Sequence, residues 1–511
     1  QIIEAGITDV VVSPGSRNAP LSLAFFAASK RGLIKLHVRI DERTAAFFAL
    51  GIVKSTNRPV PVVCTSGTAV ANYHPAVLEA SHTNAPLLVL TADRPAILRK
   101  TGANQTTEQA RIYGKAVRYF ADIDGPVFPM ELPFDSLRSG PVHLNVQFDE
   151  PMLPDDSDKW LDEIVISAKA FESRTKPTTL KSDANRGVLI IGHDRAGLSL
   201  ESVRKFAKEL GWPIIAEDPL SFPDAVAHAS IFLTSAQIRA ALIPQTVIVI
   251  GRTTLSRSIN AFSKLAPTQV VIDPRMATVD SDRQADKRFT QLPVLNTHKA
   301  SPEWLDQWDK YSLRCAKNVD GLTGFTEAVI AKEIAANLPE GSTLFVSSSR
   351  PIRDLEGFAT PRSGVTTHAN RGLAGIDGNI STALGIALAS KQTFAVLGDL
   401  SFLHDLTGLI HREEINCTFI VINNDGGGIF STLPQRGVDG FETVFGTPHG
   451  LDPAAIAKAM GISATTISSI DELKKTLKAA VEGISIVVAN VPSRDENADS
   501  LKAIYESMNS I

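Results

Sequence analysis

The strongest constraint on what this chain can fold into is a repeated alternation along its length. Short, wholly apolar runs alternate with stretches of helical periodicity, and turn residues separate them. In the first third, TDVVVSPGS, LIKLHVRID, PVPVVCTSG and APLLVLTADRP read as strands. PLSLAFFAASKRG, ERTAAFFALGIVKST and TAVANYHPAVLEASHTN read as the helices between them, and GPVHLNVQFD as a later strand. Strands that are apolar throughout must be covered on both faces, and a parallel sheet flanked by helices covers them. The rhythm resumes in GVLIIGHDRAG, WPIIAEDP, QTVIVIGRTT and TQVVIDPR, and again in STLFVSSS, QTFAVLGD, CTFIVINND and ISIVVANV. The expected class is α/β, with three doubly wound parallel-sheet domains over 1–160, 187–320 and 321–511, and a polar linker over 161–186. No short-period repeat is visible.

Composition narrows the class of function. Apolar residues make up 43% and charged residues 21% of the 511, and the formal net charge is −4. No basic surface argues for nucleic acid, and no acidic tail argues for disorder. Cys64, Cys315 and Cys417 are far apart and lack CxxC spacing. They are expected as buried, reduced thiols of a cytoplasmic protein. No apolar run reaches the roughly 18 residues that a membrane span needs, and no signal-peptide pattern is present. The text opens at QIIEAG as if within a helix, so a short preceding piece is expected.

The sharpest chemical signal is FAVLGDLSFLHDLTGLIHREEINCTFIVINNDGGGIF, Phe394 to Phe430. One strand ends at Gly398-Asp399 and the next at Asn423-Asn424-Asp425-Gly426. Two strand ends therefore deliver a carboxylate and a carboxamide to the carboxyl edge of a parallel sheet, where ligands bind. Mg²⁺ takes one or two protein oxygens together with phosphate oxygens and water. Asp399, Asn424 and the Gly426 carbonyl can supply such oxygens, and the glycines let backbone approach a diphosphate. The arrangement resembles the thiamine-diphosphate motif that runs from GDG to NN, with Leu400 in place of the usual second glycine. The bland alternative is two unrelated polar turns.

Glu42 sits where a strand meets a helix, in LHVRIDERTAAFFALGIVK. A carboxylate there often only complements the helix dipole. Thiamine diphosphate, however, needs a carboxyl partner for its aminopyrimidine N1′ in a dry site, and burial is expected to raise the Glu42 pKa. A third group of residues lies at loop ends: Ser16 and Arg17 in SPGSRNAP, Arg94 in TADRP, Gln105 in GANQTTEQ, Ser349 and Arg353 in SSSRPIRDLE, and Arg371 in ANRGLAGIDG. Each arginine alone suits a surface ion pair. Several at strand ends point to a substrate with more than one carboxylate.

SPGSRNAPL, DERTAAFFALG, CTSGTAVANYHPAVLEA, LTADRP, GANQT, NRGLAGIDGNISTALGIA, GDLSF and INNDGGGIFS together resemble the 2-succinyl-5-enolpyruvyl-6-hydroxy-3-cyclohexene-1-carboxylate synthases of menaquinone biosynthesis. The resemblance covers nearly the whole chain and is weakest between about 155 and 325. GDLSF is the usual form in that family, so Leu400 supports it. The resemblance implies pyrimidine-binding, central and diphosphate-binding domains, the last carrying Mg²⁺, with Mn²⁺ able to substitute. It implies decarboxylation of 2-oxoglutarate and 1,4-addition of the resulting succinyl carbanion equivalent to isochorismate, by a cytoplasmic homodimer or homotetramer. Glu42 and the metal site would come from different subunits.

By the same resemblance, Glu42 is the catalytic partner of N1′, and Asp399, Asn424 and the Gly426 carbonyl hold the metal. Ile376 props the cofactor, and Gly398, Ser401, Ile429 and Phe430 line it. Ser16, Arg17, Arg94, Gln105, Arg257, Ser349, Arg353, Arg371, Phe430 and Leu433 are the implied substrate contacts. His74, His404 and His449 are expected to be structural, and the central domain a scaffold without flavin. Two other readings remain open at this point: another thiamine-diphosphate decarboxylase or carboligase, and a non-catalytic nucleotide-binding module on the same fold.

Overall fold

Among the described residues every strand pair is parallel, as strands apolar on both faces require. The computed structural model describes residues 1–125, 131–154, 158–167, 178–195, 197–275, 285–410 and 413–510. It divides into two compact units. One comprises Gln1–Arg174, Asp377–Lys391 and His404–Ile415, and the other Thr175–Ile376, Gln392–Leu403 and Asn416–Ile511.

The first unit holds β1 (Asp9–Val12), β2 (Lys35–Val38), β3 (Val60–Cys64), β4 (Leu87–Asp93), β5 (Tyr119–Asp124) and β6 (Val142–Gln147), in the order β2-β1-β3-β4-β6-β5. The second unit begins with β7 (Thr179–Ser182), β8 (Gly187–Ile191), β9 (Ile214–Ala216), β10 (Thr246–Ile250), β11 (Thr268–Ile272), β12 (Lys287–Phe289) and β13 (Val294–Thr297). These form a five-stranded sheet, β12-β11-β10-β8-β9, and the pair β13-β7. Its last sheet contains β14 (Ser342–Val346), β15 (Val365–His368), β16 (Thr393–Gly398), β17 (Cys417–Asn423), β18 (Ser463–Ile467) and β19 (Ile484–Asn490), in the order β15-β14-β16-β17-β19-β18. Counted from its own first strand, this last sheet repeats the strand order of the first. In each, the chain reverses its direction of winding between the first and third strands. That reversal opens a crevice at the carboxyl ends of β1 and β3 in one sheet and of β14 and β16 in the other.

Local chemistry explains the elements. The helix Glu42–Thr56 starts where expected because Asp41 caps it, accepting the N–H groups of Arg43 at 3.0 Å and Thr44 at 3.4 Å. The stretch TAVANYHPAVLEASHTN, read as one helix, is two, Thr68–Asn72 and His74–Thr83. Pro75 has no N–H to continue the first, so the chain restarts with proline in its first turn. Residues 2–6 form turns, and the positive φ of Gly6, 78°, closes them. The stretch 161–186 carries β7, whose single buried side chain, Leu180, escapes a periodicity search. The part of that stretch over 168–177 lies outside the described residues.

Within the first unit, helix Glu42–Thr56 crosses helix Asn379–Ala387 at glycine. A Cβ on Gly51 would collide with the Thr382 carbonyl, and one on Gly385 with the Phe48 carbonyl. The same unit is pinned by an ionic network at the end of β2. The buried Arg39 guanidinium lies 3.9 Å over the Phe48 ring, and it donates to the Gly408 carbonyl at 3.1 Å and to Glu413 at 3.0 Å. His37 sits between Asp9, at 3.0 Å, and Glu413, at 3.3 Å. Burial opposes charge on His37, but its hydrogen bonds to the two carboxylates outweigh burial and raise its pKa above 6.5. Burial likewise works against the Glu413 carboxylate, yet His37 and Arg39 bring its pKa down to about 2.

The contribution of His37 to stability is complete below about pH 6.5 and is lost as pH rises through its raised folded-state value. His37→Gln is therefore expected to destabilise the protein by roughly 1.5–3 kcal/mol, the worth of hydrogen bonds to charged groups, at pH 6. The deficit should shrink steadily towards pH 9. Urea midpoints of parent and variant across that range measure it, and a deficit that does not change with pH would contradict the network.

Candidate cofactor and active site

The two strand ends singled out in the sequence meet in the last sheet. β16 and β17 pair in the register Gly398↔Ile422, so Asp399 and Asn424 emerge side by side at the carboxyl edge. Asp399 is buried, and its carboxylate gathers main-chain donors. Oδ2 accepts the N–H of Gly426 at 2.9 Å and of Asn424 at 3.2 Å, and Oδ1 accepts that of Leu400 at 2.7 Å. Burial raises the Asp399 pKa, and the N–H groups of Gly426 and Leu400 together with His449 oppose the rise. His449 Nε2 lies 3.3 Å from Asp399 Oδ2, so this histidine is part of the site. The chain turns back at Gly426, where φ is 134°, and a Cβ there would collide with the Gly446 carbonyl and the Arg494 guanidinium.

The Asn424 amide is held at one end only. Its Nδ2 donates to Glu327 at 2.6 Å, whereas its Oδ1 is buried without a hydrogen-bond partner. The Gly426 carbonyl accepts the Gly428 N–H at 2.9 Å and keeps a second lone pair. Among the described residues, no group of three or more His, Cys, Asp or Glu side chains is placed to hold a metal. The donor set here is instead one carboxylate, one orphaned carboxamide oxygen and one main-chain carbonyl. It fits a hard cation that keeps positions for phosphate and water.

Beside these atoms lies a cavity of about 190 Å³, lined by Ser348, Ser349, Ile376, Gly398, Ser401 and Phe430 among others. A Cβ on Gly398 would meet nothing within 4 Å, so the glycine leaves room above the strand end. Ile376 is half-buried, with its carbonyl 3.4 Å from the Ser401 hydroxyl that donates to it. Ile429 and Phe430 come from the turn Gly428–Thr432. The residues present thus fit a Mg²⁺–diphosphate group.

A second cavity of the same unit, about 280 Å³, shares Arg350 and Ile429 with the first and is also lined by Arg257, Arg353, Glu356 and Leu433. Arg257 opens the helix Arg257–Ser263, capped by Ser256. Arg353 donates to the Ser349 carbonyl at 2.7 Å, and Ser349 itself has a φ of 74°, a costly conformation for a residue with a side chain. Burial lowers the Arg353 pKa, and the charges of Arg350 and Arg371 lower it further. Arg371, expected to contact substrate, lines neither cavity. It is buried against Glu217, with Nε at 3.1 Å and Nη2 at 2.7 Å from one carboxylate oxygen. A guanidinium at that depth needs a counter-ion, and Glu217 supplies one.

The first unit assembles the remaining residues. Because Asp41 caps the helix, Glu42 has no capping duty. Asn72 Nδ2 donates to its Oε2 at a long 3.4 Å. Glu42 is only half-buried within its own unit, so the dry surroundings expected of it are not supplied there. At the carboxyl ends of β1 and β4, Arg94 donates to the Ser66 hydroxyl at 2.7 Å and to the Gln105 carbonyl at 2.6 Å. Burial lowers its pKa, and the nearby Arg17 lowers it again. Arg17 donates to the Phe148 carbonyl at 3.0 Å, and Ser16 is exposed beside it.

Glu327, Arg350 and Glu356 were missed from sequence, and His449, which was expected to be structural, lies against Asp399. Glu327 reaches Asn424 across 97 residues, a distance that no local pattern spans. Burial pushes the Glu356 carboxyl well up, and the Glu217 charge adds to the rise. Arg350 stands between Ser349 and Arg353, which were both singled out, and could have been added to them.

Comparisons with known proteins find thiamine pyrophosphate enzyme domains along the chain. Residues 1–112 match the thiamine pyrophosphate enzyme N-terminal TPP binding domain, 154–346 the middle domain of thiamine pyrophosphate enzymes, and 354–491 the C-terminal TPP binding domain. Glu42 falls in the first and Asp399 to Gly426 in the last. Two solved structures superpose with a TM-score of 0.65: a thiamin diphosphate-dependent enzyme from Mycobacterium smegmatis (18% identical; 96% of this chain, 98% of that one) and benzoylformate decarboxylase from Polynucleobacter necessarius (16%; 96% and 97%). They show the fold. Among curated relatives, the 2-succinyl-5-enolpyruvyl-6-hydroxy-3-cyclohexene-1-carboxylate synthase of Thermobifida fusca is 38% identical over 99% of this chain and 97% of its own. That of Nocardioides sp. is 39% identical over 98% and 94%, and that of Lysinibacillus sphaericus 35% over 99% and 96%. With similarity of this extent over all three domains, the chain belongs to the family of thiamine-diphosphate-dependent 2-succinyl-5-enolpyruvyl-6-hydroxy-3-cyclohexene-1-carboxylate synthases.

Proposed function

We propose that this chain decarboxylates 2-oxoglutarate and adds the resulting succinyl unit to isochorismate in a 1,4 sense, releasing CO₂, in menaquinone biosynthesis. The observation that carries the reading is the juxtaposition, within one unit, of a metal-ready donor set and an arginine-bearing cavity. When bound, thiamine diphosphate supplies the carbon nucleophile and the electron sink that decarboxylation of a 2-oxo acid requires. Asp399, the Asn424 Oδ1 and the Gly426 carbonyl would hold its Mg²⁺, with Mn²⁺ able to substitute. Ile376, Ser401, Ile429 and Phe430 would enclose it and exclude water.

Glu42 would hold a proton at the pyrimidine N1′. Its half-exposed carboxylate, free of capping duty, suits a partner from outside its own unit, which favours a homodimer or homotetramer in which a second subunit completes the site. Both proposed substrates carry two carboxylates. Arg17 and Arg94 in one unit, and Arg257 and Arg353 in the other, offer planar forks that match carboxylate geometry. Among the described residues no helix is long and apolar enough to cross a membrane, and a cytoplasmic location suits these substrates.

The direct test mixes the protein with thiamine diphosphate, Mg²⁺, 2-oxoglutarate and isochorismate, and follows isochorismate loss with CO₂ release. Persistence of isochorismate while pyruvate is consumed would replace this reading with another carboligase. Glu42→Gln is expected to keep cofactor affinity within a few-fold in calorimetric titration while turnover falls by about 10²–10⁴, the span of a positioned acid or base. An unchanged rate removes Glu42 from proton transfer. Asp399→Ala should abolish the Mg²⁺ dependence of cofactor binding, and equally tight binding with and without EDTA in the parent protein would contradict the anchor.

A further inference from the structure

We propose that Glu327 is a positioning residue for the metal site: its carboxylate fixes the orientation of the Asn424 amide and so presents Oδ1, not Nδ2, to the cation. The inference rests on the reading that Asp399, Asn424 and Gly426 hold the metal, and it assigns a role to a residue outside that set.

The two faces of a carboxamide are nearly equal in shape, and only a partner that can tell donor from acceptor decides which way it points. An ionised carboxylate accepts and cannot donate. Glu327 Oε1 lies 2.6 Å from Asn424 Nδ2, so the reverse orientation would press two oxygens together at hydrogen-bond distance. The correct orientation leaves Oδ1 facing away, and that atom is the one buried without a partner.

Glu327 is itself held from several directions. It is the first residue of the helix Glu327–Asn337, whose amino end favours negative charge. Its N–H donates to Asn497 Oδ1 at 3.2 Å. Its other oxygen lies 3.5 Å from Arg350 Nε, and Arg350 also pairs with Asp354. Arg350 thus compensates the Glu327 carboxylate, the second in the cavity beside Asp399, where an unpaired negative charge would repel a diphosphate. The side chain of Glu327 is 8% exposed, so water cannot stand in for it. Partners that orient a metal ligand are typically worth about 10–100-fold in metal affinity.

The test uses full-length protein, saturating thiamine diphosphate and Mn²⁺ as the probe, with free Mn²⁺ followed by electron paramagnetic resonance. Glu327→Gln can donate as well as accept, and is expected to weaken Mn²⁺ binding by about 10-fold or more with little change in thermal midpoint. Asn424→Asp places a carboxylate against Glu327 and should also bind Mn²⁺ weakly. Adding Glu327→Gln to Asn424→Asp restores a donor opposite an acceptor, so the double variant should bind Mn²⁺ more tightly than Asn424→Asp alone. A role for Glu327 confined to folding predicts instead that the two losses add, or that the double variant unfolds with the single one. Binding by Glu327→Gln within two-fold of the parent, or a double variant no better than Asn424→Asp, overturns the proposal. Asp399→Ala separates the two levels of the argument. If it binds Mn²⁺ as the parent does, the metal-site reading fails. If it loses Mn²⁺ while Glu327→Gln keeps it, only the role of Glu327 fails.

Discussion

The Asp399 carboxylate ties the ends of two parallel strands into one site. Three main-chain N–H groups, from Leu400, Asn424 and Gly426, converge on its two oxygens. Burial disfavours the charge that these donors satisfy, so the carboxylate and the turn stabilise each other: without the charge the N–H groups lose their acceptor, and without the turn the charge is stranded. The shape of the turn follows. Gly426 can adopt its left-handed backbone and pack against the Gly446 carbonyl only because it lacks a side chain. The Asn424 amide and the Gly426 carbonyl then take their places along the same edge, next to the cavity that Gly398 leaves open.

The sheet order explains why that edge hosts the chemistry. In both the first and the last sheet the winding direction reverses between the first and third strands, and the helices on either side of the reversal diverge from a common crevice. In the last sheet the crevice holds Ser348, Ser349 and Gly398. In the first, Ser16 and Arg17 leave β1 at the equivalent edge, with Arg94 two strands along. The repeated order places Ser16 and Arg17 at one reversal point and Ser349, Gly398 and Asp399 at the other. This duplication is topological. It has no short period, and the side chains along the two sheets differ, so comparing segments of text does not reveal it.

How much was legible varied with burial. Central strands of the first and last sheets, such as Val60–Cys64, Leu87–Asp93 and Cys417–Asn423, are buried and mostly apolar because both faces are covered, and these were readable. Two edge strands were not: Tyr119–Asp124 has no fully buried position and Ser463–Ile467 is mostly exposed, so neither carries the apolar run that marks a strand. The long helix expected over 68–84 breaks at Pro75, where a missing N–H outweighs favourable periodicity. The short β7 was absorbed into an apparent linker because its pairing partner, β13, lies more than a hundred residues away.

The candidate site divides along the same line. Residue types and their placement at strand ends determined, from the text alone, that a carboxylate, a carboxamide and flexible backbone share one sheet edge and that arginines accumulate near other strand ends. Both follow from local chemistry, since a strand's end and the turn after it are written in consecutive residues. Only the tertiary structure decided how those side chains are partnered. It engaged Arg371 with Glu217, relieved Glu42 of capping through Asp41, brought His449 to Asp399, and set Glu327 against Asn424. Each of these outcomes depends on which groups become buried together across tens or hundreds of residues. A buried charge takes the counter-ion or donor within reach, and that reach is a distance in space which the order of residues does not carry.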